Sequence, residues 1–268
     1  MGGEYTPARA DAEGMAMRRY GAPVVAAILV AACAPSAPAR NDIPRLPARL
    51  SDGKPDMTGV WGVSDFSYDG ALAELEASYT PAARAQMQTL DDTDDPLFRC
   101  LPYGVPRSIL SSPWPFQIVH RPGMMVVLTE YYHAFRLIPT DGTPHPPDML
   151  PTYFGDSVAR WDGDTLVVDV AGFNGKTWLA DARDKPTPAS RGIWMHSDAL
   201  HVVERWRLVD AGTLEYQAVV EDPKMLTRPW TPPALRVKRQ SFGKIGEGLC
   251  FDTTTYDLAR PSGQAPRQ

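Results

Sequence analysis

The sequence predicts a mainly β protein, an up-and-down antiparallel barrel or strongly bent sheet with one short N-terminal helix and long Pro-rich loops. Three observations lead there. From Phe116 onward most segments are short apolar or alternating runs, the period of strands rather than helices. They are separated by turn sequences such as Pro122-Gly123, Asp162-Gly163 and Asp210-Ala211-Gly212. Sequential strands joined by tight turns meander antiparallel. The 27 prolines cluster in connectors, which suits long loops between short strands better than a helical bundle.

The elements follow in order. Arg18 and Arg19 precede an apolar run over residues 22–32, short for a membrane span and flanked like an export signal. Val30-Ala31-Ala32-Cys33 reads as a lipobox, with Cys33 as the lipidated first residue. Ordinary cleavage at an Ala-x-Ala site within residues 34–37 is the alternative. The residues before Met15 or Met17 fit an export signal poorly, so one of those methionines is the expected start. Residues 1–33 are thus assigned to the signal, 34–54 to a flexible tether, 55–258 to a single barrel domain and 259–268 to a disordered tail. The expected location is the periplasm, free or anchored to the outer membrane.

Residues 55–61 read as the first strand. A helix is expected after Thr80-Pro81, with Thr80 as N-cap and Pro81 in the first turn. The acidic run Asp91-Asp92-Thr93-Asp94-Asp95 lacks the glycine and terminal glutamate of an EF-hand loop, so a solvated loop is expected rather than a calcium site. Strands follow at 116–120, at 124–138 with a bend near Tyr131, and at 157–161, 165–170, 199–209, 213–221, 235–242 and 249–256. Cys100 and Cys250 lie near the two ends of this region and are expected to pair in an oxidising compartment. Closing so long a loop is worth up to about 5 kcal/mol by the chain-entropy argument. Two unrelated buried thiols are the alternative.

Composition excludes several classes. A formal net charge of −5 without a long basic run argues against nucleic-acid binding. No Gly-rich phosphate loop opens a helix, no HExxH or CxxC occurs, and no GxSxG elbow is present. Nucleotide cofactors, these zinc signatures and this serine-hydrolase signature are therefore not expected. Period-two phasing places Glu204 among Leu200, Val202, Trp206 and Leu208 on one face. An interior carboxylate must be paired or protonated, so Glu204 is either an acid/base group or the partner of Arg136, Arg160 or Arg236. His201 falls on the opposite face, which argues against a metal shared by His196, His201 and Glu204. Over residues 124–138 the phasing leaves open which face points inward, that of Glu130, Tyr132 and Arg136 or that of Thr129, Tyr131 and His133. His133 suits proton transfer or sits as a hydrogen-bonded rim residue. Arg136 suits stabilising a developing oxyanion or pairs internally with Glu130 or Asp141, and Tyr131 enters the cavity with His133 if the second face is inward. Trp161, Asn174, Trp178, His196 and His201 are the candidate ligand contacts. The alternative for Trp178 is a core anchor, and for Asn174 a turn closed by its own side chain.

Seven segments carry a family resemblance: PDMTGVW at 55–61, RCLPYGVPR at 99–107, PFQIVHRPG at 115–123, RLIPTDGTPHP at 136–146, GDTLVVDVAGFN at 163–174, HSDALHVVERWRLVD at 196–210 and TLEYQAVVEDP at 213–223. Together they resemble a family of exported bacterial proteins with a GDTLVVD-x-x-GFN motif, and the resemblance covers about residues 55–256. It implies a lipocalin-like antiparallel barrel and paired cysteines at Cys100 and Cys250. It also links the chain to phenylcoumaran γ-formaldehyde lyase, which acts on lignin-derived dimers. That chemistry needs a base, an acid or cation and an aromatic slot, without a cofactor. His133 or Glu204 is the expected base, and Tyr131 or Arg136 the expected aid to the leaving oxygen. The expected function is thus a cofactor-independent lyase on a small aromatic compound. A non-enzymatic periplasmic carrier of an apolar molecule and an envelope structural protein with a filled barrel are the competing readings.

Overall fold

The computed structural model describes residues 47–63, 70–111, 114–182 and 185–248, all within a compact unit formed by residues 42–268. The predicted signal, the C-terminal tail, the strand at 249–256 and Cys250 lie outside the described residues, as does Cys33. Nine strands form one sheet: β1 Gly59–Val63, β2 Phe116–Arg121, β3 Met124–Thr129, β4 Phe135–Pro139, β5 Asp156–Asp162, β6 Thr165–Ala171, β7 His201–Asp210, β8 Thr213–Glu221 and β9 Leu235–Arg239. Their order is β4-β3-β2-β1-β9-β8-β7-β6-β5, and the sheet curls into a nearly closed antiparallel barrel. Among the described residues no helix is long and apolar enough to cross a membrane.

Local chemistry explains the elements. Pro122-Gly123 joins β2 to β3, with Gly123 at φ 79°, a left-handed turn position that favours glycine. The helix α2, Pro81–Met87, starts where expected: the Thr80 hydroxyl accepts from the Ala83 amide at 3.1 Å. Two further short helices, α1 Ala71–Ser78 and α3 Arg107–Leu110, had not been read. The acidic run forms a 3-10 turn at Asp92–Asp94 with an Asp91/Asp94 capping box, but it is not wholly the solvated loop expected: Asp95 is buried and paired with Arg107 at 2.7 Å.

The interior is packed with large side chains. Trp61, Phe116, Trp206 and Tyr216 are essentially fully buried, each worth about 1.5–3 kcal/mol or more on the scale of large apolar side chains. The rings of Trp206 and Tyr216 pack edge to face with their centres 4.7 Å apart. On β7 the inward residues are Val202, Glu204, Trp206 and Leu208, facing Leu214, Tyr216, Ala218 and Val220 of β8. This is the phase that alternation predicts.

The open question over residues 124–138 resolves into two phases. Met125, Val127 and Thr129 point inward on β3, whereas Arg136 and Ile138 do so on β4. The chain breaks between them at a turn in which Tyr132 and His133 both take left-handed φ values, 63° and 50°. The bend expected near Tyr131 is a full break between β3 and β4, and this turn changes the parity.

All eight strand pairings are antiparallel. Eight reversals leave the end strands β4 and β5 running the same way. Parallel neighbours cannot be joined by a hairpin and need a crossover of about a dozen residues or more. The Pro-rich connection 140–155 is that crossover. It is fixed to the outer wall by the Gly142 amide bonding the Ala159 carbonyl at 3.0 Å. No strand ladder joins β4 to β5, and this seam is where the barrel wall is breached.

Candidate functional site

A cleft of about 520 Å³ opens at the seam. One wall comes from the β3–β4 turn and β4: Tyr132, His133, Phe135 and Arg136. The other comes from the end of the crossover and the start of β5: Tyr153, Phe154, Asp156 and Ser157. Tyr132 is fastened by its hydroxyl donating to the Leu97 carbonyl at 2.5 Å and by Tyr103 and Tyr131, at 5.3 and 4.1 Å between ring centres. Burial, the hydrogen bond to Tyr131 and the neighbouring rings push its pKa up, so it stays a neutral phenol. Gly155, at φ 68°, lies where a Cβ would stand 2.6 Å from the Ala171 carbonyl, so only glycine lets the crossover approach β6 this closely.

Behind the cleft lies a buried charge cluster. Arg136 Nη1 and Nη2 donate to Glu204 Oε1 and Oε2 at 3.1 and 2.6 Å, and Nη2 also donates to Ser157 Oγ at 3.0 Å. Tyr216 Oη donates to Glu204 Oε1 at 2.7 Å. Burial first, and then the Glu204 carboxylate, hold the Tyr216 pKa well above that of a free phenol, so it acts as a donor only. Glu204 is 0% exposed, and both its oxygens are engaged. Of the two roles open to it, the ion pair to Arg136 is the one the geometry realises. Arg136 Nε has no hydrogen-bond partner among the described residues.

The structure brings His133 and Arg136 to one cleft and sends the other candidates elsewhere. Tyr131 stacks on Trp114 at 5.6 Å and 7° and does not line the cleft. Trp161 stacks on His120, and Lys54 lies over its ring. Trp178 is 5% exposed in the core, bridged to Met195. The Asn174 side chain accepts from the Lys176 amide, closing its own turn. His196 is buried between the Thr177 hydroxyl, 2.6 Å away, and the Ser197 carbonyl. Burial lowers its pKa, so it is held neutral. His201 faces outward from β7 beside Asp169, at 3.1 Å. The proposed ligand rim of Trp161, Asn174, Trp178, His196 and His201 is therefore dispersed. A hairpin's aromatic loop also packs its own core, and here that use wins.

Three groups at or beside the cleft escaped the sequence reading: Asp156, Ser157 and His145. Asp156 and Ser157 meet β4 only because the barrel curls, which alternation cannot reveal. His145 lies in a proline-rich connector without periodicity. Its Nδ1 is 2.5 Å from Asp156 Oδ1 and its Nε2 2.9 Å from Asp169 Oδ1. Among the described residues no group of three or more His, Cys, Asp or Glu is placed to hold a metal ion. No family model matches the chain, and no curated protein matches it.

Proposed function

We propose that the protein is an exported lipocalin-like barrel that acts as a cofactor-independent carbon–carbon lyase on a small aromatic compound at the seam cleft. A lignin-derived phenylcoumaran dimer, cleaved with release of formaldehyde, is the specific substrate proposed. The observation that carries this reading is the shared lining of one cleft by His133 and Arg136 with Tyr132, Tyr153, Phe135 and Phe154. Aromatic walls suit the flat faces of such a dimer. Arg136 lies where a guanidinium can steady a phenolate, and Glu204 and Tyr216 hold it there. Two groups in the cleft are able to take the alcohol proton, His133 and Asp156. Export, lipidation at Cys33 and a Cys100–Cys250 disulfide belong to the same proposal.

The carrier reading draws on a different observation. The cleft walls are largely apolar, and the charge behind them is already internally satisfied by Glu204. Purified mature protein is incubated with a panel of lignin-type dimers while formaldehyde and the absorbance of conjugated stilbene products are followed. Turnover of a phenylcoumaran supports the lyase. Saturable binding without turnover moves the assignment to the carrier, and neither binding nor turnover removes the cleft as a ligand site.

A further inference from the structure

We infer that Asp156 is the proton acceptor of the cleft and that His145 is its positioning residue, held in turn by Asp169 and His201. This rests on the lyase reading and adds which group takes the proton. Asp156 lines the cleft. Its Oδ1 accepts from His145 Nδ1 at 2.5 Å, and its Oδ2 has no hydrogen-bond partner among the described residues. One oxygen is thus anchored and the other is left for a ligand hydroxyl. His133, by contrast, is exposed on a left-handed turn and has no orienting partner among the described residues.

The support behind Asp156 is a row of alternating acids and imidazoles on the outer wall. His145 Nε2 bonds Asp169 Oδ1 at 2.9 Å, His201 Nε2 bonds Asp169 Oδ2 at 3.1 Å, and His201 Nδ1 lies 3.5 Å from Glu221 Oε2. Ionised carboxylates only accept, so a ring facing one at each nitrogen must carry both protons. His145 is therefore an imidazolium. Partial burial pulls its pKa down, but the hydrogen bonds to Asp156 and Asp169 outweigh this and leave it raised. The other charged or titratable groups around the pair are Tyr132, His133, Arg136 and Tyr153 in the cleft and Arg160 on β5.

The step balances without a co-reactant. Asp156 Oδ2 takes the proton of the primary alcohol, and the oxygen's electron pair forms the carbonyl of formaldehyde. The C–C bond to that carbon breaks, and its pair forms the new alkene. The benzylic C–O bond breaks, and its pair leaves on the aryl oxygen as a phenolate beside Arg136. The proton on Asp156 passes to that phenolate or to water.

The test is the pH–rate profile of formaldehyde release from a phenylcoumaran dimer, with 15N-histidine NMR on the same proteins. Asp156→Asn and Asp156→Ser, each melting near the native temperature, are expected to lose about a hundredfold or more in kcat. His133→Ala is expected to lose less rate than either Asp156 variant. The native rate falls on the alkaline side as His145 loses its proton. His145→Gln, which keeps a donor without titrating, abolishes that limb and retains more rate than His145→Ala. The His145 resonance titrates above an ordinary histidine and moves down in Asp156→Asn. Native kcat in Asp156→Asn, or collapse in His133→Ala alone, overturns the assignment while the lyase reading stands. An unchanged alkaline limb in His145→Gln overturns the positioning role. Absence of turnover in the native protein overturns the lyase reading and the assignment together.

Discussion

Two charge clusters cross the same strands, one on each side of the barrel wall, and they are built for different tasks. Inside, Arg136, Glu204, Tyr216 and Ser157 are buried and closed upon one another. Outside, Asp156, His145, Asp169, His201 and Glu221 form a partly exposed row. The inner cation is an arginine, which does not titrate in proteins. In the outer row, burial pulls the His145 pKa down but its hydrogen bonds to Asp156 and Asp169 leave it raised. The inner cluster is a closed structural ion pair, and the outer one contains a histidine, His145, whose pKa is shifted. They meet at the seam, where Arg136, Ser157 and Asp156 share one cleft.

The largest expected effect separates the two. Arg136→Met strands a buried carboxylate and is expected to cost about 3–5 kcal/mol in urea unfolding. The Arg136→Met/Glu204→Leu double variant recovers most of that loss. A single-variant cost below about 1 kcal/mol would place water in the interior and break the contrast with the outer row. Tyr216→Phe removes one donor from Glu204 and is expected to cost about 1–3 kcal/mol. Gly155→Ala forces a left-handed residue against the Ala171 carbonyl. It is expected to cost about 1 kcal/mol or more, with loss of ligand binding as the wall shifts.

The outer row is worth less and depends on pH. The folded pKa of His145 is raised, so its stabilisation is fully present below the unfolded value, about 6.5. It disappears as pH rises through the folded value. Native protein should therefore exceed His145→Gln in melting temperature at pH 5 and match it at high pH, with a difference of less than about 1 kcal/mol. A constant difference across pH would mean that His145 acts through packing. The smallest effect is at Asn174: Asn174→Ala should change stability by about 0.5 kcal/mol and leave ligand binding intact.

The two clusters also differ in how much of them the sequence discloses. Glu204 announces itself because β7 alternates without interruption, so one acid in an apolar row must face inward, and Arg136 was among its three named partners. The inward phase of Arg136 itself was hidden by the turn at Tyr132 and His133, whose left-handed backbone carries no glycine or asparagine to mark it. Of the outer row only His201 stands out in the sequence, as a candidate ligand contact; Asp156 and Asp169 each look like an ordinary outward polar residue. Only the crossover lays His145 between the two acids, and a crossover's path depends on strand parity around the whole barrel. At the rim, local composition offers Trp178 both as a ligand contact and as a core anchor, and the structure buries it, with His196, in the core.

The central claim, that function lies at the seam rather than inside the barrel, is tested most directly by blocking the cleft. Ala134 lines it on the β3–β4 turn. The measurement is formaldehyde release from a phenylcoumaran dimer by native protein and by Ala134→Trp, each with Cys33→Ser to keep it unlipidated, alongside their melting temperatures. The account predicts turnover by the native barrel and its loss in Ala134→Trp at an unchanged melting temperature. Equal turnover by the two would contradict it and send the search back into the interior.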